Sequence, residues 1–199
     1  MARYQYRDRF YRKANEQGLP SRAAFKLEEL IARFKLVANG DRVVDLGCAP
    51  GGWLVIFARA VGAQGRVVGV DLAPCSGLAR NVITLIGDIR DPQVYQAATE
   101  ALGSAADLIA SDLAPKLSGI ADRDQAKSRE LLEAAVNFAC ALLKPGGAMV
   151  AKVFMGAEFE QTRQAFTPIF ARVEVVRTRA SRPGSSELYL VARGFRAPQ

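Results

Sequence analysis

Short apolar runs rich in β-branched residues alternate along this chain with longer stretches in which apolar residues recur at helical spacing. The short runs predict strands at 42–46, 66–71, 82–87, 106–111, 148–154, 172–177 and 187–192. Alternation of strands and helices with short connections is typical of a largely parallel sheet. The pattern therefore predicts an α/β fold, with a mostly parallel seven-stranded sheet, helices on both faces and an antiparallel last strand that closes a hairpin.

The clearest helical patterns lie near the start of the chain and in its second half. The first is S-R-A-A-F-K-L-E-E-L-I-A-R-F, with Ser21 as the expected N-cap, and Phe25 and Phe34 facing inward. Lys26 lies in the second turn of this predicted helix. The second pattern spans 124–143 and is followed by K-P-G-G, which is expected to end it.

The first strand leads into a glycine-rich turn, in the sequence V-V-D-L-G-C-A-P-G-G-W of residues 43–53. Gly47, Gly51 and Gly52 allow a ligand to approach the backbone closely where the next helix begins. The following strand ends in Asp71, where Rossmann-type units carry the acid that binds ribose hydroxyls. The spacing G-x-x-x-G-G differs from the pyrophosphate-binding G-x-G-x-x-G, so it favours an adenosine ligand without a diphosphate, such as S-adenosylmethionine.

The 199 residues of the chain suit one domain with a full core. We predict a basic, aromatic N-terminal arm at 1–20 and a catalytic core at 21–199. No apolar run reaches the roughly 18 residues that a membrane span needs, and the start of the chain lacks the apolar segment of an export signal. The sequence therefore predicts a cytoplasmic protein without a membrane partner.

The net charge of +7 is concentrated at the beginning of the chain. Cations and aromatic rings alternate there; they are Arg3, Arg7, Arg9, Arg12, Lys13, Arg22 and Lys26, with Tyr4, Tyr6, Phe10 and Tyr11. Cations for phosphates beside rings for stacking are expected of an arm that contacts RNA. The alternative is a solvated leader whose charges only aid solubility.

The composition restricts the chemistry that is available. The chain has no histidine, and its three cysteines form no C-x-x-C pair, so neither imidazole catalysis nor a metal site is expected. Cys48, Cys75 and Cys140 are expected to act as small buried apolar residues. Proton transfer must therefore use Lys, Asp, Glu, Tyr or Cys.

Polar residues occur near the ends of several predicted strands. Asp71, Asp88 and Asp112 follow the second, third and fourth strands. Lys152 lies toward the end of the fifth, and Glu187 begins the last. Because ligands bind beyond the carboxyl ends of parallel strands, and an antiparallel last strand begins at that same edge, these side chains are expected to converge.

Several of these residues also have a purely structural interpretation. Asp45 could cap backbone amides, and Asp88 could be the N-cap of the helix after Arg90, which we favour for Asp88 by itself. For Asp71, its position after the glycine turn favours a ligand contact. Lys152 interrupts the apolar run A-M-V-A-K-V-F, where a lysine is rare unless it is paired or functional.

The motifs, taken in order, resemble those of the FtsJ-type ribose 2′-O-methyltransferases of large-subunit ribosomal RNA. They span nearly the whole chain and are D-R-F-Y-R-K-A, S-R-A-A-F-K-L, D-L-G-C-A-P-G-G-W, S-D-L-A-P-K-L-S-G, L-K-P-G-G, A-K-V-F and S-S-E-L-Y-L-V-A. The resemblance implies a Rossmann-like methyltransferase fold, S-adenosylmethionine as cofactor and a uridine of 23S ribosomal RNA as target. It implies a K-D-K-E tetrad of Lys26, Asp112, Lys152 and Glu187. It also implies cofactor contacts at Gly51, Trp53, Asp71, Asp88 and Asp112.

The chain departs from the family pattern at three places. Cys48 stands where the family usually has a small residue such as Ala, and Lys116 stands where bacterial members often have Asn. The sequence R-P-G-S-S before Glu187 replaces a more basic run. The last two departures border the expected RNA face, so they bear on RNA recognition more than on the chemistry.

The expected reaction needs a base. A ribose 2′-hydroxyl must lose its proton as it attacks a sulfonium methyl group, and we assign this role to Lys152. Burial and a second cation such as Lys26 favour its neutral form, whereas Asp112 and Glu187 favour its charged form. The carboxylates are expected to orient the lysines, with Asp112 also bordering the sulfonium.

Other functions stay open to different degrees. The same tetrad would serve on transfer RNA or on messenger caps. A nucleotide-dependent oxidoreductase is disfavoured because G-x-G-x-x-G is missing, and a non-catalytic RNA-binding factor of ribosome assembly is disfavoured because the tetrad is intact. We expect a monomer that acts on ribosomal RNA in the large subunit.

Overall fold

The computed structural model describes residues 23–115, 118–156, 159–182 and 184–197. The strands are Arg42–Leu46 (β1), Arg66–Asp71 (β2), Val82–Ile86 (β3), Ala106–Ser111 (β4), Leu143–Phe154 (β5), Phe170–Val176 (β6) and Glu187–Phe195 (β7). The helices in these residues are Ala23–Phe34 (α1), Gly52–Val61 (α2), Pro92–Leu102 (α3), Ala121–Leu142 (α4) and Phe159–Phe166 (α5). The predicted N-cap Ser21, the basic arm and Lys116 lie outside the described residues.

The strands form one sheet with the order β3-β2-β1-β4-β5-β7-β6. β1 pairs in parallel with β2 and β4, and the parallel pairing continues outward to β3 and β5. β7 is antiparallel to both β5 and β6. The predicted fold class is confirmed, and the antiparallel β7 brings its first residue, Glu187, to the edge where the parallel strands end.

Helices cover both faces of the sheet because neighbouring residues of each central strand enter different cores. In β1, Val43 packs with α1 and α2, whereas Val44 packs with α3, α4 and α5. Both side chains are fully buried. This explains why the central strands are apolar throughout rather than alternating.

Two local predictions need correction. The sequence K-P-G-G follows the end of α4 as expected, but it lies inside β5, which begins at Leu143 and not at residue 148. Between β2 and β3, residues 72–81 contain no helix, so this connection is a loop beside the glycine turn. A Cβ added to Gly51 would lie 3.5 Å from Leu78 of this loop. Within the described segments, no helix is both long and apolar enough to span a bilayer.

Candidate active site

The glycine turn after β1 has a backbone that only glycine fits well. Gly47 has φ +79°, and a Cβ there would lie 2.8 Å from a side-chain carbon of Leu113. Gly51 has φ +104°, and its N–H donates to the Cys48 carbonyl at 2.7 Å. Positive φ values of this kind are strained for other residues. The turn is therefore packed tightly against the segment that follows β4, which carries Asp112.

Asp71, at the end of β2, connects the turn with the next loop. Its Oδ2 accepts the Ala49 N–H at 2.9 Å, and its Oδ1 accepts the Ala73 N–H at 2.9 Å. A carboxylate oxygen can accept a second hydrogen bond, so both oxygens retain capacity for hydroxyl donors. This arrangement suits the predicted contact with a cofactor ribose, which stays a prediction.

Asp88 is not the N-cap of the following helix, contrary to the interpretation that the sequence favoured. α3 begins with Pro92, and the cap is Asp91, whose Oδ1 accepts the Gln93 N–H at 2.9 Å. Asp88 instead accepts the Arg90 N–H at 2.9 Å and pairs with the Arg90 guanidinium at 2.5 Å. These hydrogen bonds lower the pKa of Asp88 to about 2, so its carboxylate is ionised and available at the sheet edge.

The indole of Trp53 is part of the core. Its N–H donates to the Ala23 carbonyl at 2.8 Å. The ring lies 6.2 Å from that of Phe57 and 5.9 Å from that of Tyr189, between ring centroids. The side chain is buried. The predicted cofactor contact at Trp53 would therefore involve its backbone at the start of α2 and not its ring.

The four residues of the predicted tetrad form two ion pairs. Lys26 Nζ, on α1, lies 2.6 Å from Glu187 Oε1 on β7. Lys152 Nζ, on β5, lies 3.1 Å from Asp112 Oδ1, just after β4. The side-chain exposures are 10% and 14% in the first pair, and 9% and 21% in the second. Each buried lysine thus has its own carboxylate, which compensates its charge.

Tyr189 links the two pairs, and the sequence analysis did not name it. Its hydroxyl donates to Asp112 Oδ1 at 2.8 Å, and Lys26 Nζ lies 5.8 Å from its ring centroid. Burial, followed by the charges of Asp112 and Glu187, raises the pKa of Tyr189, so its hydroxyl stays a donor. The signal was its position two residues after Glu187 and directly opposite Lys152 in the β5–β7 pair.

Additional hydrogen bonds hold one member of each pair in place. Lys152 Nζ also donates to the main-chain carbonyl of Asp112 at 2.6 Å. Glu187 Oε1 accepts the hydroxyl of Ser181 at 3.0 Å. These bonds restrict the rotamers of Lys152 and Glu187, as an active site requires of groups that must keep a fixed geometry.

Asp45 is a further site residue, for which the sequence analysis offered only a structural interpretation as a cap of backbone amides. It is fully buried in β1, and no described residue donates a hydrogen bond to either carboxylate oxygen. Burial, then the charges of Asp112 and Asp71, raises the pKa of Asp45. It therefore caps no backbone amide in the described segments, and it provides an acceptor group beneath the glycine turn.

Two thiols lie next to this acidic group. Cys48 Sγ and Cys75 Sγ are 3.8 Å apart. Cys48 is buried as expected, whereas Cys75 and Cys140 are only half-buried. Burial is the largest cause that raises the pKa of both Cys48 and Cys75. Both groups are therefore neutral thiols at neutral pH, which is the form expected of small apolar residues.

These residues suit S-adenosylmethionine. Its ribose hydroxyls can donate hydrogen bonds to Asp71, and its cationic groups match the carboxylate of Asp112. The glycine turn permits close approach of the ligand to the backbone. The residues present therefore fit this cofactor better than a dinucleotide, because the carboxylates at this edge would repel a negatively charged diphosphate.

Comparison with known proteins agrees with this geometry. The model of a family described as FtsJ-like methyltransferase matches residues 19–195. A protein of Anaeromyxobacter dehalogenans named ribosomal RNA large subunit methyltransferase E is 44% identical over 194 residues, 97% of this chain and 73% of that protein. A protein of the same name from Methanoregula boonei is 41% identical over 190 residues and covers 96% of both chains.

Solved structures give the same result for the fold. A crystal structure described as a putative ribosomal RNA methyltransferase of Plasmodium falciparum has a TM-score of 0.79 and 26% identity, covering 89% of this chain and 99% of that one. Fibrillarin of Aeropyrum pernix, solved with bound S-adenosyl-L-methionine, has a TM-score of 0.60 and 20% identity, covering 85% and 73%. At that identity, fibrillarin supports only the fold.

The sheet order, the glycine turn and the acidic strand ends define a methyltransferase with a Rossmann-like fold, and S-adenosylmethionine is its methyl donor. More narrowly, the match over residues 19–195 places the chain among the FtsJ-like methyltransferases, and it belongs to that family.

The Asp71→Ala substitution is expected to weaken cofactor binding. Hydrogen bonds to a charged group contribute about 1.5 to 3 kcal/mol, which corresponds to roughly a 10- to 150-fold increase in Kd. The measurement is calorimetric titration with S-adenosylhomocysteine. Asp91→Ala, which removes the cap of α3, serves as a control for general destabilisation. An unchanged affinity in Asp71→Ala would remove this residue from the cofactor site.

The Asp45→Asn substitution is expected to stabilise the ligand-free enzyme at neutral pH. Because the pKa of Asp45 is raised above its ordinary value of 3.8, the folded protein retains a proton that the unfolded chain releases. Stability should therefore decrease as pH rises from about 3.8 toward the pKa of the folded state, by at most about 1.4 kcal/mol per pH unit. Asn cannot ionise, so thermal melts of the variant should lack this component.

Asp88→Asn provides a control of opposite sign. Because the pKa of Asp88 is lowered, its ionised carboxylate stabilises the fold at pH values above the ordinary pKa of 3.8. This stabilisation is lost as the pH falls through about 2. The effect should be small, because 36% of the Asp88 side chain is exposed and solvent screens its charge. Identical pH dependence in Asp45→Asn and the wild type would contradict the buried, proton-retaining state of Asp45.

Proposed function

We propose that this enzyme transfers the methyl group to a ribose 2′-hydroxyl of RNA, with a uridine of the large-subunit (23S) ribosomal RNA as target. The observation that carries the proposal is the partly buried pair of Lys152 and Asp112, 3.1 Å apart at the carboxyl ends of β5 and β4. A hydroxyl of such low acidity needs a positioned base, and the chain has no histidine to supply one.

Lys152 acts as the base. In its neutral form, its Nζ would accept the proton of the 2′-hydroxyl, and the ribose oxygen would gain the methyl group as the carbon–sulfur bond of the cofactor breaks. The products would be a methyl ether on the ribose, an ammonium on Lys152 and S-adenosylhomocysteine, whose thioether sulfur keeps the electron pair of the broken bond. Asp112 stabilises this ammonium, because its carboxylate and its main-chain carbonyl lie 3.1 Å and 2.6 Å from Nζ. The bound cofactor supplies an activated methyl group.

Lys26 and Glu187 have a positioning role in this mechanism. Glu187 already accepts hydrogen bonds from Lys26 and Ser181, so it is a poor candidate for the base. Lys26 retains donors that can bind a ribose or phosphate oxygen of the substrate. Such contacts align the hydroxyl with the methyl group. In a reaction between two molecules, this alignment lowers the activation barrier by an amount on the order of several kcal/mol.

The RNA target is supported by the relatives and by the charge of the chain. The relatives with 44% and 41% identity are named ribosomal RNA large subunit methyltransferase E. The net charge of +7, with its basic, aromatic beginning, suits a polyanionic substrate. These observations support ribosomal RNA as the partner, and we further propose that the enzyme is a cytoplasmic monomer. The mechanism requires no metal ion.

The test is to map methylated riboses in RNA with and without the enzyme. Large ribosomal subunits and protein-free RNA that lack the modification are incubated with labelled cofactor, and the RNA is then hydrolysed with alkali. A 2′-O-methyl group removes the hydroxyl that alkaline cleavage needs, so a modified position becomes resistant. We expect one resistant position, at a uridine of the large-subunit RNA.

Two controls make the result specific. RNA with a 2′-deoxyribose at the target should receive no label, whereas label there would indicate a base methyltransferase. Transfer RNA should also remain unlabelled, and methylation of transfer RNA in preference to large-subunit RNA would overturn the assigned substrate but not the chemistry.

A further inference from the structure

A cavity of about 330 Å³ lies between the carboxyl ends of β4 and β5 and the helices α4 and α5. Its walls are largely apolar, with the side chains of Leu113, Leu131, Leu132, Phe154, Met155 and Phe159. Met155 lies on the wall with 54% of its surface exposed. Flat aromatic and flexible thioether side chains are typical of sites that hold a planar ring.

The cavity is continuous with the candidate active site, because Lys152 and Ser111 are part of its wall. None of the predicted contacts for the cofactor ribose or the glycine turn lines it, so it is distinct from the cofactor site. In a nucleotide, the carbon that bears the 2′-hydroxyl is bonded directly to the carbon that bears the base. A nucleotide whose hydroxyl reaches Lys152 must therefore place its base within a few ångströms of this wall.

Gln125, in the first turns of α4, offers a polar edge to this cavity. Its half-buried amide lies over the backbone of Gly156, where an added Cβ would be 3.4 Å from Nε2 and 3.8 Å from Oε1. No hydrogen bond joins this amide to any residue that the structure describes. A side-chain amide presents a donor and an acceptor side by side, which pair with the adjacent donor and acceptor of a nucleobase edge.

Two polar neighbours of Gln125 on α4, Asp124 and Ser128, already form hydrogen bonds. Asp124 accepts the N–H and hydroxyl of Ser118, both at 2.7 Å, and the N–H of Gly119 at 3.1 Å. Ser128 donates its hydroxyl to the Asp124 carbonyl at 2.8 Å. These bonds shape the start of α4, next to the Gln125 amide, which can both donate and accept.

We propose that this cavity receives the nucleobase of the target nucleotide, and that the Gln125 amide forms hydrogen bonds with the edge of that base. The inference rests on the proposed function, since it assumes a ribose at Lys152. Uracil presents its N3–H beside a carbonyl oxygen, which matches the amide. The base leaves its stack to enter the cavity, where Phe154, Phe159 and Met155 replace its stacking neighbours.

The test combines a change in the enzyme with a change in the substrate. Gln125→Leu keeps the approximate size but removes both hydrogen-bonding groups, and an RNA with an abasic target keeps the ribose but lacks the base. With a uridine target, Gln125→Leu should lower kcat/KM about tenfold, the loss expected for one or two hydrogen bonds. With the abasic target, the wild type and the variant should be equally slow, because the contact is already missing.

Two further variants exclude a structural explanation. Gln93→Leu, on the exposed surface of α3, should behave like the wild type with both RNAs. Gln125→Met also removes both hydrogen-bonding groups, with an unbranched side chain, and it should show the same loss on uridine. It replaces Gln125→Leu if thermal melting shows that leucine disturbs the fold of α4. A folding defect would reduce activity equally on both targets, whereas a lost base contact affects only the uridine target.

The outcomes separate this inference from the proposed function. If the wild type methylates the ribose and Gln125→Leu is equally active on uridine, the base pocket is wrong and the proposed function stands. An equal reduction on both RNAs also overturns the base contact. If the wild type methylates no ribose in any RNA, the proposed function fails, and this inference fails with it.

Discussion

Lys152→Ala is expected to abolish methyl transfer, with a loss on the order of 10² to 10⁴ in rate. The substitution removes the amine that would accept the proton, while cofactor and RNA binding do not require that proton to move. Affinity for S-adenosylhomocysteine and RNA should therefore remain close to that of the wild type. Single-turnover methyl transfer on a saturating RNA measures the chemical step.

Lys152→Arg distinguishes a base from a positive charge that only positions the substrate. Arginine retains the charge but does not lose its proton in this pH range, so this variant should also be inactive. Lys144→Ala is a matched control, because the exposed Lys144 lies on the same strand and forms an ion pair with Asp107 at the opposite end of the sheet. Near-wild-type turnover by Lys152→Arg would make Lys152 a positioning cation.

Asp112→Asn is expected to give the second-largest loss, on the order of 10² to 10³ in rate. The variant keeps the shape of the side chain and an acceptor for the Tyr189 hydroxyl, but it loses the charge that lies 3.1 Å from Lys152 Nζ. The ammonium that forms on Lys152 would then lack its counterion. The variant should also be less stable, because a buried lysine loses its partner.

Tyr189→Phe separates the charge of Asp112 from its hydrogen bond. This variant removes only the hydroxyl that donates to Asp112 at 2.8 Å. The loss should be about the value of one hydrogen bond, roughly tenfold or less in rate. Equal rates in Asp112→Asn and the wild type would contradict the role of Asp112 as counterion of Lys152. A larger loss in Tyr189→Phe than in Asp112→Asn would shift that role to the tyrosine.

The strands and the glycine turn could be predicted because their causes are local. Apolar, β-branched runs such as Val43 and Val44 can be buried only on a sheet covered on both sides. The need for glycine at positions 47 and 51 follows from their backbone geometry. The position of Glu187 at the active edge could also be inferred, because an antiparallel closing strand must begin there.

The partners within the site could not be predicted, because they depend on three-dimensional packing. The sequence suggested that Lys26 acts on Lys152 as a second cation, whereas the structure pairs each lysine with a different carboxylate. Tyr189 was not singled out, because the pattern of its strand does not show that its hydroxyl reaches Asp112. A cap was one possible interpretation of Asp45, and the sequence does not show that no backbone amide of the described residues reaches it. Local sequence shows that a polar residue is present but not which group faces it.

The position of Trp53 gives the enzyme an intrinsic spectroscopic reporter. It is the one tryptophan of the chain, and its ring lies 5.9 Å from that of Tyr189, whose hydroxyl contacts Asp112. Its backbone begins the helix that follows the glycine turn. The emission wavelength and lifetime of this single fluorophore therefore depend on the packing between the cofactor turn and the tetrad, so unlabelled protein can be followed optically during rapid mixing with either substrate.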